Sequence, residues 1–322
     1  MSYSQETEVA VAAVETAARL CRRVGESLDL SAIQKADRSP VTLADFASQA
    51  VIHKALRRAF PDDPVVSEEE VDLLRENPDL LRRVTDLVAT VRPGIDDEAI
   101  LSAVDYGATP ADFSGRYWTL DPIDGTKGFL RKDQYAIALA LIEGGRPVFG
   151  VLGCPNYRRS DGDGPGLLFT AVSGEGTLAR PLGGGEPFRV SVDSVTDPAE
   201  ARFCESVEKA HAAHDVHQKI SEALGIRAFP CRMDSQAKYA AVACGEASIY
   251  LRLPRAADYR EKIWDHGAGV IIVTEAGGAV TDFNGRPLDF SAGRKLANNH
   301  GIVASNGRLH DRILSAIARQ TD

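Results

Sequence analysis

A mixed α/β fold in two units is what this sequence predicts, on three observations. The chain of 322 residues exceeds one comfortable core. Helix-like and strand-like segments alternate through its C-terminal half, the pattern of an α/β unit, while the N-terminal half mixes them less regularly. The strand-like run Tyr117-Trp118-Thr119-Leu120 leads straight into Asp121-Pro122-Ile123-Asp124-Gly125-Thr126. A β-run that ends in acids delivers them to the rim of a sheet, where α/β proteins place their ligands.

The elements follow in order. Val9, Val11, Ala12, Ala13, Leu20 and Val24 recur at helical spacing and predict a helix over residues 8–24. Ser39-Pro40-Val41-Thr42 breaks the chain before a second helix over 43–60, whose first turn carries Asp45. Pro61-Asp62-Asp63-Pro64 closes that helix, and a short strand Val65-Val66 runs into Ser67-Glu68-Glu69-Glu70. Residues 71–114 read as short helices and loops punctuated by Pro78, Pro93 and Pro110. Strands are predicted at 117–120, 135–142, 147–153 and 167–172. The Gly- and Pro-rich stretch 181–187 is the expected linker, dividing residues 1–186 from 187–322. Beyond it come a helix at 214–224, a strand near 228–233, a helix at 236–244 and a strand at 248–253. A helix at 265–276, strands at 279–282 and 301–304 and a helix at 308–319 complete the series.

Composition narrows the function. A net charge of −9 disfavours nucleic acid as a partner, because polyanion binding relies on Lys and Arg to neutralise phosphates. The longest nearly apolar stretch, residues 267–273, is too short to span a bilayer, so no membrane partner is expected. Met1-Ser2-Tyr3-Ser4-Gln5-Glu6 carries no basic n-region. The five cysteines are odd in number and form no CxxC pair, which reads as reduced thiols in a cytoplasmic protein.

The acids carry the chemistry. Asp121 and Asp124 repel each other at close range unless a cation lies between them, and hard oxygen ligands call for Mg²⁺ or Mn²⁺. The plain alternative is an ordinary Asp-Gly turn. Asp45 and Glu68 stand at element ends, and Asp265 is expected to open a helix that is apolar on nearly every side after its first turn and therefore buried. Taken singly, Asp45 is a first-turn charge, Glu68 to Glu70 a solvated run and Asp265 a cap.

Together, Asp45, Ser67-Glu68-Glu69, Asp121-Pro122-Ile123-Asp124-Gly125-Thr126 and Trp264-Asp265-His266 resemble the metal-binding motifs of the inositol monophosphatase superfamily. These are Mg²⁺-dependent, lithium-sensitive phosphomonoesterases. The resemblance runs from residue 45 to 265 and implies a layered αβαβα sandwich with the site between two sub-domains. Narrower likeness comes from Lys35-Ala36-Asp37-Arg38-Ser39-Pro40-Val41-Thr42, Gly125-Thr126-Lys127-Gly128-Phe129-Leu130-Arg131 and Val207-Glu208-Lys209-Ala210-His211. Asp234-Ser235-Gln236-Ala237-Lys238-Tyr239 and Tyr250-Leu251-Arg252-Leu253-Pro254 add to it. These segments resemble the 3′(2′),5′-bisphosphate nucleotidase branch, which removes the 3′-phosphate of adenosine 3′,5′-bisphosphate (PAP). The resemblance implies Glu68, Asp121, the Ile123 carbonyl, Asp124 and Asp265 as ligands of two or three Mg²⁺ ions, with Mn²⁺ as substitute. It implies Asp45 and Thr126 as the pair that holds and activates the attacking water. His211, Ser235, Lys238 and Arg252, with Thr126 and Asp265, would hold the nucleotide bisphosphate, in a monomer or small homo-oligomer. One departure is Ser67, where the family usually has Gly; at positive φ a serine would cost about 1–2 kcal/mol.

Several patterns are decoys. Gly174-Glu175-Gly176-Thr177-Leu178-Ala179 fits a dinucleotide fingerprint, but Pro181 and three glycines follow where its helix should begin. His214 and His217 read as a solvated face. Lys127, Arg131 and Lys132 fit phosphate attraction and a surface role equally, and Trp264 is expected in the domain interface. Asp121 and Asp124 lie three apart, not two as in the D-x-D-G-T motif of haloacid-dehalogenase-like phosphatases. A nucleotide sensor without turnover would tend to lose the pair Asp45 and Thr126, which is present. An inositol phosphatase of the same fold is the nearest rival.

Overall fold

The computed structural model describes residues 3–26, 32–35, 40–158, 166–207, 214–254, 256 and 258–321. Helix α1 (Ser4–Glu26) turns Ala10, Val14, Ala17 and Cys21 inward at three- and four-residue spacing. Strands β1 (Ala32–Gln34) and β2 (Pro40–Thr42) form a separate antiparallel pair. Thr42 caps α2 (Leu43–Ala59), its hydroxyl accepting from the Ala44 N–H at 3.1 Å. Next come β3 (Val65–Ser67) and the helices α3 (Asp72–Glu76), α4 (Pro78–Ala89) and α5 (Asp97–Asp105). The acids are borne by β4 (Arg116–Asp124), followed by the one-turn α6 (Thr126–Leu130).

Strands β5 (Ala136–Glu143), β6 (Arg146–Cys154), β7 (Leu167–Val172), β8 (Gly176–Pro181) and β9 (Phe188–Arg189) complete a seven-stranded sheet in sequence order from β3. Only the β3–β4 pairing in it is parallel. The stretch expected as a linker is the turn from β8 to β9 of this one sheet, because Ala179 pairs with Phe188 across it. The chain passes to the second sheet after β9.

That sheet contains β10 (Phe203–Glu205), β11 (Cys231–Arg232), β12 (Ile249–Arg252), β13 (Ala279–Thr281) and β14 (Ile302–Ser305), in the order β11-β10-β12-β14-β13. Helices α7 (His214–Leu224), α8 (Ala237–Ala243), α9 (Gly267–Glu275) and α10 (His310–Thr321) accompany it. The expected strand near 228–233 shrinks to the two residues of β11. The expected helix at 265–276 divides: Ile263–Asp265 is a 3₁₀ turn, His266 at φ −137° interrupts it, and α9 starts at Gly267. Asp265 thus ends a tight turn instead of opening the α-helix.

Three cores define five layers. Trp118, Leu120, Leu139 and Phe149 cover one face of the large sheet and pack on α1, α2, α4 and α5. Tyr117, Ala138, Ala140 and Phe169 point the other way, the period-2 alternation of a strand, and meet α8, α9 and one face of the small sheet. Phe203, Ile249 and Val303 on its far face meet α7 and α10. The result is the αβαβα sandwich that the sequence led us to expect. Helix α9 lies between the two sheets, which explains why it is apolar on all sides. Its Gly269 lets Tyr239 of α8 approach so closely that a Cβ there would overlap the ring.

Candidate active site

The acids converge where β3 and β4 end together. At Asp121 the β4–β5 ladder loses register: Asp121 pairs with Ala138 but Asp124 with Ala136, so one extra residue bulges out. Such bulges re-aim side chains at functional edges. Asp121 Oδ1 accepts from the Ile123 N–H at 3.1 Å. Gly125 then takes φ 85°, and a Cβ there would come within 2.9 Å of Ser235, so both backbone conformation and space call for glycine. Ser235 itself sits at φ 69°, a left-handed conformation that non-glycine residues rarely adopt away from functional sites.

Glu68 follows β3, its N–H bonded to Leu120 O at 3.3 Å, which fixes it beside Asp121. Ser67 shows no positive φ, so the strain considered for a serine there does not arise. Its side chain instead fills the space left by Gly107. Asp45 is buried under the cluster. Its Oδ2 accepts from the Thr42 N–H at 2.8 Å and hydroxyl at 2.6 Å, while Oδ1 accepts from the Thr126 hydroxyl at 3.4 Å. The same hydroxyl lies 3.2 Å from Ile123 O. The two sequence-predicted water-holding residues are therefore in contact.

Glu68, Asp121, Ile123, Asp124, Thr126, Ser235, Lys238, Arg252 and Asp265 line one cleft of about 950 Å³, a size suited to a small-molecule ligand. His211 lies outside the described residues. Burial first, and then Glu68, Asp124 and Asp265, push the Asp121 carboxyl well above its ordinary range. Asp265 is raised by burial and by Asp124. Asp124 is held at about 6, burial outweighing Lys238, Arg252 and the Gln236 N–H. Asp45 is raised to about 7, mainly by burial against the counter-effect of Thr42. Crowded oxygens that raise one another's pKa are a donor set in want of a cation, so the residues fit a hard divalent metal ion.

Cations stand on the other wall. Lys238, which the resemblance implies as a nucleotide contact, is 2% exposed and so not a surface lysine. Burial lowers its pKa, and its ammonium lies 3.5 Å from Met233 O and 5.3 Å above the Tyr250 ring. Arg252 Nε donates to Glu261 Oε1 at 3.1 Å, and Nη2 is 3.9 Å from Asp265. Glu261, Asp265 and His266 offer ligand atoms within 4.8 Å of one another. Glu261 there is neutralised by Arg252, which holds its carboxyl down at about 2 against burial.

The sequence reading passed over four contributors. Lys35, quoted above without a role, bridges Glu68 at 2.9 Å and Glu69 at 2.6 Å. Gln236 gives its N–H to Asp124 at 2.6 Å and clasps Trp264 O and the Gly269 N–H with its amide. Arg294 donates to Ser67 O at 2.7 Å and stacks on Trp264 at 4.8 Å. Glu261 orients Arg252. Only Lys35 and Gln236 had a signal, their place inside motif segments. His217, read as solvated, is buried and stacks on Phe203 at 5.9 Å. Arg131 pairs with Asp133 and Asp234, a structural use.

Comparison with known proteins agrees with this architecture. The IMPase of Thermotoga maritima superposes with a TM-score of 0.68 at 23% identity, covering 98% of this chain and 97% of that one. The extragenic suppressor protein suhB of Bartonella henselae gives 0.67 at 21%, covering 97% of each. In sequence, a 3′(2′),5′-bisphosphate nucleotidase of Schizosaccharomyces pombe is 42% identical over 342 residues, all of this chain and 97% of the relative. One from Oryza sativa is 46% identical over 337 residues, 98% and 94% of the two. The inositol monophosphatase family pattern matches residues 2–322. The chain belongs to the inositol monophosphatase family.

Proposed function

We propose that this protein is a Mg²⁺-dependent 3′(2′),5′-bisphosphate nucleotidase that hydrolyses the 3′-phosphate of PAP to give AMP and phosphate. The observation that carries this reading is the polarity of the cleft: acids at the ends of β3 and β4 line it together with the buried cation Lys238 and the partly buried cation Arg252. A substrate with two phosphates suits both sets of charges, the second phosphate meeting the buried ammonium and Arg252. The full-length likeness to nucleotidases supports the same choice.

Glu68, Asp121, the Ile123 carbonyl, Asp124 and Asp265 would hold the Mg²⁺ ions. Bound there, the metal supplies charge neutralisation of the phosphate and a more acidic water. The protein's own residues do the rest. Thr126 positions the attacking water by hydrogen bonding. Asp45, 3.4 Å from the Thr126 hydroxyl, takes up a proton, and its pKa of about 7 suits that task at neutral pH. Neither forms a bond to phosphorus. Ser235, Lys238 and Arg252, with His211, hold the remaining phosphate and nucleoside. Residues 1–186 supply most of the acid wall and 187–322 the cationic one. Among the described residues no helix is long and apolar enough to cross a membrane; the cytoplasm is the proposed location.

Assays of PAP, its 2′-phosphate isomer, inositol 1-phosphate and inositol 1,4-bisphosphate side by side test the reading. The highest kcat/KM is expected for a nucleotide bisphosphate, abolished by EDTA and depressed by Li⁺. Preference for an inositol phosphate would overturn the assignment, and full activity in EDTA would overturn the metal.

A further inference from the structure

The fold brings together two cysteines that lie far apart in the chain. Cys204 on β10 and Cys231 on β11 are directly opposed in a parallel pairing. Adjacent strands run about 4.8 Å apart, within the roughly 4.4–6.8 Å between Cα atoms that a disulfide spans. Both thiols are free. They differ in setting. Cys204 is wholly buried, and burial raises its thiol well above the ordinary value. Cys231 lies partly exposed on the edge strand, and its thiol is lowered chiefly by a hydrogen bond from Cys204. As a thiol, Cys231 donates to Phe203 O at 3.4 Å. A partly accessible cysteine directly opposite a buried partner thiol is the arrangement of a redox-responsive pair. The others differ: Cys21 and Cys154 are wholly buried, and Cys244 caps α8.

The strands involved lead into the cleft. Beyond β10 comes Ser206, and beyond β11 come Met233, Asp234 and Ser235, all but Met233 lining it. The Met233 N–H bonds to Glu205 O at 3.0 Å, and Met233 O accepts from the Lys238 ammonium. A covalent tie one residue back from Glu205 and two back from Met233 acts at the root of the Lys238 support.

We infer that Cys231 and Cys204 are a hydroperoxide-responsive pair, whose oxidation to a disulfide weakens bisphosphate binding by displacing the Met233 carbonyl from Lys238. The Cys231 thiolate attacks a peroxide oxygen, breaking the O–O bond, giving a sulfenic acid and releasing hydroxide. Cys204 then attacks the sulfenic sulfur, and the departing oxygen leaves as water. In balance, two thiols and one hydrogen peroxide give one disulfide and two waters, with two electrons passing from sulfur to peroxide. A dithiol reverses the change. The binding consequence rests on the nucleotidase reading above; the bond itself does not.

The test uses the full chain, reduced with dithiothreitol, desalted and exposed to hydrogen peroxide. Intact-mass measurement should show the loss of two hydrogens, and peptide mapping should join the Cys204 and Cys231 peptides. In Cys204→Ala, which lacks the resolving thiol, dimedone should label Cys231; in wild type it should label it much less. KM for PAP should rise on the order of tenfold in the oxidised wild type, as for one lost hydrogen bond to a charged group. It should return with dithiothreitol and stay constant in Cys231→Ser. No linkage, a linkage between other cysteines such as Cys154 and Cys244, or a linked protein with unchanged KM would overturn the inference. Peptide mapping needs no substrate, so it decides the thiol pair even if PAP proves not to be hydrolysed.

Discussion

Replacing Lys238 by Met gives the sharpest test of how the cleft selects its ligand. Met keeps most of the side-chain length and volume, so the packing over Tyr250 and against Met233 is largely retained. What is lost is a positive charge in a site 2% exposed to solvent. In the free protein that charge is an expense, since burial lowers its pKa and its one described hydrogen bond spans 3.5 Å. The substitution should therefore leave the melting temperature unchanged or raise it. With a bisphosphate bound, the ammonium faces an anion in a low-dielectric pocket, and the lost charge-assisted contact is worth about 1.5–3 kcal/mol. That corresponds to a KM for PAP raised roughly ten- to over a hundred-fold, with kcat little changed because the contact is remote from the reacting phosphorus. Steady-state kinetics with a parallel thermal melt would measure both. A native melt with an unaltered KM would refute the idea that this wall reads the second phosphate.

Three further outcomes follow from other parts of the structure. Asp121→Asn should abolish turnover and weaken Mg²⁺ binding, while Asp45→Asn should keep the metal and lose most of kcat; equal loss of Mg²⁺ by calorimetry would remove the distinction. Glu261→Gln should raise KM for PAP with a smaller change in kcat, because the Arg252 fork loses the carboxylate 3.1 Å away that aims it; Glu261→Asp should restore part of the loss, and an unchanged KM would show that Arg252 aims itself. His53 bonds through Nδ1 to Ala103 O at 2.8 Å, and burial lowers its pKa from 6.5 to about 4. A base depressed on folding contributes stability that is present above pH 6.5 and lost as pH falls through about 4, in all about 3 kcal/mol. Urea titrations of His53→Gln should lack that acid-limb slope; the same slope in both proteins would refute the assignment.

The sequence disclosed what short-range pattern can carry. The β4 acids were legible because a strand-like run and a Gly turn bracket them within a few residues. Helix α9 was legible because it is apolar all round, which only a layer between two sheets explains. What stayed hidden depends on contacts between distant segments. Nothing local to Glu261 announces that Arg252 will lie against it, nor does anything near Arg294 point to Ser67 O, 227 residues away. Strands of two residues, β9 and β11, are too short to show alternation, so the first goes unpredicted just beyond the linker expected at 181–187 and the second is overextended. His217 misled because charge and spacing suggested a wet face, while the helix turns that side onto Phe203.

Gln236 joins the two charged sides of the cleft through a neutral side chain. Asp124 and Lys238 act on each other's charge, Asp124 raising the pKa of Lys238 and Lys238 lowering that of Asp124. Gln236, two residues before Lys238, holds Asp124 by a separate contact. Its backbone N–H occupies Asp124 Oδ2 at 2.6 Å, while its amide donates to Trp264 O at 2.9 Å and accepts from Gly269 N at 3.0 Å. Being neutral, it can be fully buried without the desolvation cost of a charge, and its fixed bonds satisfy that burial. The same residue ties the start of α8 to the turn that ends in Asp265. Gln236 thus links Asp124 of the acid wall to the segment that carries Lys238 through neutral hydrogen bonds, without adding a further buried charge to the cleft.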